Sequence, residues 1–226
     1  MLKPWQIFAI NSFRKDEFYE FPDFIKNADT DFERYSSHER FVWDTVERCG
    51  CIAAATLSML FKPKIIVEMG VKVGWTSLLL CRLNPEARVY GVDISGRAIN
   101  GVFPYIPTGY AVFMNNCQNY SLTIMNSWDF DIEGMVDLCF IDGDHFLPAV
   151  KLDTERAWKN RNKEGNWCIA WDDYHPNNPD VFNTVNEFVK KVNMPLQKIG
   201  SWYFISPVEK TEEELSNINF EKGENV

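Results

Sequence analysis

Asp142, His145, Asp172 and Asp173, in the second half of this 226-residue chain, are the side chains best suited to chemistry. Asp142 closes the apolar run VDLCFI and Asp172-Asp173 closes WCIAW, so each acid is expected at the tip of a strand buried on both faces. Open α/β sheets bind ligands outside the carboxyl ends of their strands. Three carboxylates gathered there repel one another unless a cation sits between them, and oxygen donors in that number suit Mg²⁺ or another hard divalent ion. Asp142, Asp172 and Asp173 are therefore candidate metal ligands; the alternative is that Asp142 hydrogen-bonds a cofactor while Asp172 or Asp173 caps a loop. His145 titrates near neutrality and is placed to take a proton from a hydroxyl, or else to orient Asp142 or Asp144 from the rim of a pocket.

A second constellation precedes this one. Glu68-Met69-Gly70-Val71-Lys72-Val73-Gly74-Trp75-Thr76-Ser77 leads from a β-rich run through a tight turn into a helix, bringing backbone close to whatever binds there. Asp93 closes the next β-rich run, 23 residues after Gly70, where an acid can accept hydrogen bonds from a ribose diol. NAD and S-adenosylmethionine both satisfy that geometry. A pyrophosphate needs G-x-G-x-x-G, however, and Lys72 occupies the middle glycine position. Glu68 would repel a pyrophosphate and suit the ammonium of a methionyl group, whose carboxylate can use backbone donors near Thr76 and Ser77. Glu68 capping or pairing locally is the alternative.

These side chains need a frame, and the apolar patterning supplies one. Helical spacing over 39–60 predicts a long helix behind a looser arm, together an N-terminal helical arm or lid over 1–62. After Pro63 short β-rich runs alternate with helical stretches. Strands are expected at 64–70, 88–94, 110–116, 135–142, 167–173, 196–199 and 202–206, and helices at 75–83, near 120–127, at 147–160 and at 181–192. This alternation predicts an α/β domain over 63–206 with a largely parallel sheet. Asn116-Cys117 stands at the end of the third expected strand. Asp144 and Asp153 have structural uses at and on the 147–160 helix. Trp171, Tyr174, Trp202 and Tyr203 would stack on a substrate ring or fill the core, and His175 begins a loop rich in Pro and Asn. His38, just before the long helix, has no assigned role.

Composition bounds the function. With 23 Lys+Arg against 32 Asp+Glu and no basic run, the net charge of −9 argues against a nucleic-acid partner. Part of that charge belongs to the acidic tail, 207–226, where six Glu stand against two Lys. Six scattered cysteines, mostly in apolar runs, predict buried thiols in a cytoplasmic compartment, and Cys49-x-Cys51 lacks a second pair at zinc spacing. No apolar run approaches the roughly 20 residues of a membrane span.

The stretches VEMGVKVGWTS, VYGVDIS, DLCFIDGDHFLPAVKLD and WCIAWDDYHPNNPDV resemble the class I S-adenosylmethionine-dependent methyltransferases, closest to the small family of macrolide-sugar O-methyltransferases and cephalosporin-hydroxylase-like proteins. The resemblance implies a Rossmann-like fold, a mostly parallel seven-stranded sheet with an antiparallel terminal strand. It implies cofactor contacts from Glu68, Gly70, Val71, Gly74, Thr76, Ser77, Asp93, Asn116 and Asp142, Mg²⁺ on Asp142, Asp172 and Asp173, and His145 where catechol-type enzymes carry a lysine base. The expected acceptor is a small molecule, a sugar diol or catechol-like ring. The arm would cover the pocket or join two copies of the chain. A nicotinamide oxidoreductase and a cofactor-binding protein without transfer activity are the competing readings.

Overall fold

The computed structural model describes residues 48–96, 107–199 and 201–208. The arm before residue 48, with His38, and the tail beyond residue 208 lie outside them.

Seven strands form one sheet: β1 Ile65–Met69, β2 Arg88–Asp93, β3 Tyr120–Ile124, β4 Leu138–Ile141, β5 Cys168–Trp171, β6 Gln197–Ile199 and β7 Trp202–Ile205. Their spatial order is β3-β2-β1-β4-β5-β7-β6. The first five run parallel, and β7 is antiparallel to both neighbours. This is the fold expected from the sequence, with the carboxyl tips of the parallel strands on one edge.

Alternation along the central strands assigns each side chain to one of two cores. Ile66, Leu138, Phe140, Ala170 and Phe204 face one side, under α1 (Arg48–Phe61) and α2 (Trp75–Leu83). Val67, Met69, Cys139, Ile141, Ile169 and Trp171 face the other, under α4 (Ala149–Asn160) and α5 (Pro179–Val192). β4 and β5 are buried at every position, as their unbroken apolar runs predict. Fully burying such side chains stabilises by roughly 1.5–3 kcal/mol each. Trp171 and Trp202 are among them, so their rings belong to the core rather than to a substrate. α1 is part of this packing, with Ala53, Ala54 and Leu57 fully buried, so residues 48–61 share the core of the domain that the sequence starts at residue 63.

One stretch differs from expectation. Residues 110–116, read as a strand, form the short helix α3 (Tyr110–Met114), and 120–127, read as a helix, supplies β3 and a 3-10 turn at Ser127–Asp129. Gly109, at φ +74°, starts α3. Ala111 and Val112 turn inward while Phe113 and Met114 stay exposed, and a single turn of that kind has no readable period. Among the described residues β3 pairs only with β2, and it is half-buried, so its pattern is weak as well.

Candidate active site

Backbone hydrogen bonds bring the strand tips side by side. Gly70 N donates to Val92 O (2.8 Å), Asp142 N to Met69 O (2.8 Å) and Asp172 N to Ile141 O (3.1 Å). Each tip thus continues its neighbour's ladder by one step, and Gly70, Asp142 and Asp172 lie along one carboxyl edge. Asp93 shapes the loop between β1 and α2. Its Oδ2 accepts from Val71 N (2.9 Å) and Lys72 N (3.0 Å), and its Oδ1 from Ser95 N (3.0 Å). A carboxylate offers about four lone-pair sites, so capacity remains for a ribose hydroxyl.

Glu68 stands apart. Strand parity places it with Ile66, on the side covered by α1 and α2, where it is 2% exposed. Its carboxyl accepts a hydrogen bond from the hydroxyl of Ser77, in the first turn of α2. This is the local pairing that the sequence left open. Burial pushes Glu68 up from 4.5 to about 8, with the Ser77 hydrogen bond pulling the other way and Asp142 and Asp93 adding to the rise. The folded chain therefore holds this proton more tightly than the unfolded chain. Stability is undiminished below pH 4.5, falls as pH climbs toward about 8, and levels off beyond. The steepest slope is roughly 1 to 1.5 kcal/mol per pH unit. Glu68→Gln should remain protonated-like throughout, so at pH 8 it is expected to exceed the parent by roughly 2–4 kcal/mol and at pH 5 to match it. Urea unfolding at the two pH values checks this, and parallel curves would refute it.

The acids and His145 meet on the same edge. His145 Nδ1 lies 3.2 Å from Asp173 Oδ2, and Nε2 lies 3.8 Å from Asp142 Oδ1. Nε2 is enclosed and has no hydrogen-bond partner. Asp173, at a left-handed φ of +54°, turns away from the strand direction, and Asn178 Nδ2 donates to its carbonyl (3.1 Å). The charges act on one another. His145 is raised above its ordinary 6.5, chiefly by Asp142, with Asp173 and Asp172 helping. Asp172 is pushed up to about 7 by burial, then by Asp142 and Asp173. Asp142 is raised by burial against the pull of His145. Among the described residues, however, no three His, Cys, Asp or Glu side chains gather as a metal-holding set. Asp142, Asp172 and Asp173 share the edge without converging, and the imidazole stands between two of them.

The family model described as a methyltransferase domain matches residues 67–174, which run from β1 to the loop after β5. Over that stretch, just under half of its length, the chain is similar to a methyltransferase domain. No curated protein sequence matches it. Among solved structures with the same fold is a candidate caffeoyl-CoA O-methyltransferase from Staphylococcus aureus, 14% identical over 85% of this chain and 99% of its own, with a TM-score of 0.56. The O-methyltransferase TomG from Streptomyces achromogenes, solved with S-adenosylmethionine, is 14% identical over 80% of this chain and 91% of its own, TM-score 0.55. CalS11, a TDP-rhamnose 3'-O-methyltransferase of calicheamicin biosynthesis, is 14% identical over 92% and 97%, TM-score 0.51.

Within this domain, Gly70, Val71, Gly74, Thr76, Ser77, Asp93 and Asp142 stand in or beside the loop that joins β1 to α2. Asn116 does not. It follows α3 and precedes β3, at the amino end of that strand, so it is on the opposite edge of the sheet. The residues that follow β3 at the carboxyl edge are Met125 to Asp129, with Ser127 and Trp128 at the turn. The weak alternation of YSLTI was the one sequence signal that could have placed them. His175 caps its loop, its Nδ1 accepting from Asn177 N (3.1 Å). Cys81, Cys117 and Cys139 form no disulfide. No helix among the described residues is long and apolar enough to cross a membrane.

Proposed function

We propose that this methyltransferase transfers a methyl group from S-adenosylmethionine to a hydroxyl of a small molecule, a sugar diol or catechol-like ring, with His145 as the general base. The observation that carries the reading is the position of His145, held between Asp142 and Asp173 on the same sheet edge as the Gly70 loop and Asp93. The residues fit the cofactor: the loop exposes backbone at a tight turn, and Asp93 keeps acceptor capacity beside it. When bound, S-adenosylmethionine supplies an electrophilic methyl on sulfur. Asp173 accepts from Nδ1–H, which fixes the tautomer and leaves the Nε2 lone pair available. His145 then takes the acceptor's proton as the O–CH₃ bond forms and the S–CH₃ bond breaks, and most of the rate comes from positioning and charge stabilisation. The acceptor classes draw support from the neighbours, one named for a sugar nucleotide and one for caffeoyl-CoA.

Mg²⁺ is the finer part of the reading. The donor chemistry suits it, but the three carboxylates do not fit a metal as arranged, and no step above runs through one. The test combines binding and turnover. S-adenosylhomocysteine at a hundred times its Kd should add about 2.7 kcal/mol and raise the melting temperature, whereas NADH should not. Methyl transfer to catechol or sugar-nucleotide acceptors should persist in EDTA. A shift with NADH alone would overturn the cofactor reading, binding without turnover would favour a protein lacking transfer activity, and a loss restored by Mg²⁺ would show that the carboxylates gather on an ion.

A further inference from the structure

Asp153 is a buried acid that the proposed reaction does not use. It lies on α4, is 1% exposed, and accepts a hydrogen bond through Oδ1 from the hydroxyl of Ser127 in the turn after β3. Its Oδ2 packs against Gly143 in the loop after β4, so closely that a Cβ on Gly143 would lie 3.1 Å away. One carboxylate thus touches two loops that leave the sheet three strands apart.

The path of the chain gives this contact a purpose. The turn starts at the Asp93 tip, where Met125 N donates to Asp93 O (2.9 Å), and crosses to α4, where Asn160 Nδ2 donates to Phe130 O (3.0 Å). Asp93 and the 142–143 backbone thus follow β2 and β4 with β1 between them, and the Ser127 turn runs from the first to the Asp153 carboxylate beside the second. Burial lifts Asp153 to about 6 against the pull of Ser127. An apolar residue of similar size would burden the fold less than a desolvated acid. Its hydrogen bond to Ser127 is what an apolar residue cannot supply.

We propose that Asp153 is a positioning residue that sets the spacing between the turn after β3 and the loop after β4, and so the room left between them for the nucleoside end of the cofactor. This rests on the S-adenosylmethionine reading. The experiment is calorimetric titration with S-adenosylhomocysteine, together with KM for S-adenosylmethionine and kcat, on the full chain and on Asp153→Ala, Asp153→Asn and Ser127→Ala. Asp153→Ala should weaken binding about tenfold or more, with a matching rise in KM and less than a threefold fall in kcat. Asp153→Asn keeps an acceptor for Ser127 and should recover most of the loss. Ser127→Ala should lose threefold to tenfold, and the double variant should be no worse than Asp153→Ala alone. Ser127→Ala carries the test by itself should Asp153→Ala fail to fold. Unchanged Kd in folded variants, additive losses, or a fall in kcat alone would overturn the proposal while leaving the cofactor reading intact. A parent chain that does not bind S-adenosylhomocysteine would sink both.

Discussion

His145→Ala is expected to lower kcat by about 10²–10⁴-fold, the range lost when a positioned general base is removed. Binding of S-adenosylhomocysteine should stay within about threefold of the parent, because none of the loop contacts made by Gly70, Val71 or Asp93 involves the imidazole. Of its two nitrogens, Nδ1 lies 3.2 Å from Asp173 Oδ2 and Nε2 lies 3.8 Å from Asp142 Oδ1, so Nε2 is the more loosely held and the one expected to receive a proton. Added imidazole should restore part of the rate to His145→Ala, since the cavity left behind still borders Asp173. Asp173→Asn should cost less, about tenfold, because it loosens the ring's orientation without removing the base. Single-turnover rates with saturating cofactor check this. A fall of less than fivefold in His145→Ala, or a loss confined to KM, would return His145 to the role of a rim residue.

The fold was legible wherever a strand was buried on both faces. VDLCFI and WCIAW have no polar side to confuse the pattern, and they became the centre of the sheet. At the β3 edge the same logic failed. YAVFMNN has the composition of a strand, yet Gly109 and the contact of Ala111 N with Val73 O (3.0 Å) fold it into one helical turn. Exchanging those two elements moved the residue expected beside the adenine from Asn116 to the far edge of the sheet, which is why the Ser127 turn went unnoticed.

The candidate site divides in a similar way. Spacing alone put Gly70, Asp93, Asp142, Asp172 and Asp173 at strand tips, because an apolar run buried on both faces ends where the first polar residue or glycine leaves the core. Side-chain direction was not in the spacing. Glu68 is two residues from the turn, but parity sends its carboxyl under α2 to Ser77, and nothing in a sequence reveals which face of a doubly covered strand a residue takes. That the three acids do not gather as one set was likewise not in the spacing: Asp173 takes a left-handed φ and lies against the His145 imidazole.

Gly70→Ala should destabilise the fold by about 3–5 kcal/mol and abolish binding of S-adenosylhomocysteine. Two effects combine. Gly70 sits at φ +88°, which costs an L-residue roughly 1–2 kcal/mol. Its Cβ would also fall 2.5 Å from the Asp142 carbonyl carbon and 2.8 Å from Gly143 Cα. Both obstacles are backbone, so relief requires the tips of β1 and β4 to separate, and with them the edge that holds Asp142 and His145. Gly134 provides the comparison. It has a similar φ of +72° but nothing within 4 Å of the point a Cβ would occupy, so Gly134→Ala meets only the conformational cost, about 1 kcal/mol, and should bind S-adenosylhomocysteine like the parent. The difference between the two variants in urea unfolding isolates the steric part. Equal losses would mean that the β1 and β4 tips are not in the close contact described, and the shared edge on which the Gly70 loop, Asp142 and His145 act together would have to be redrawn.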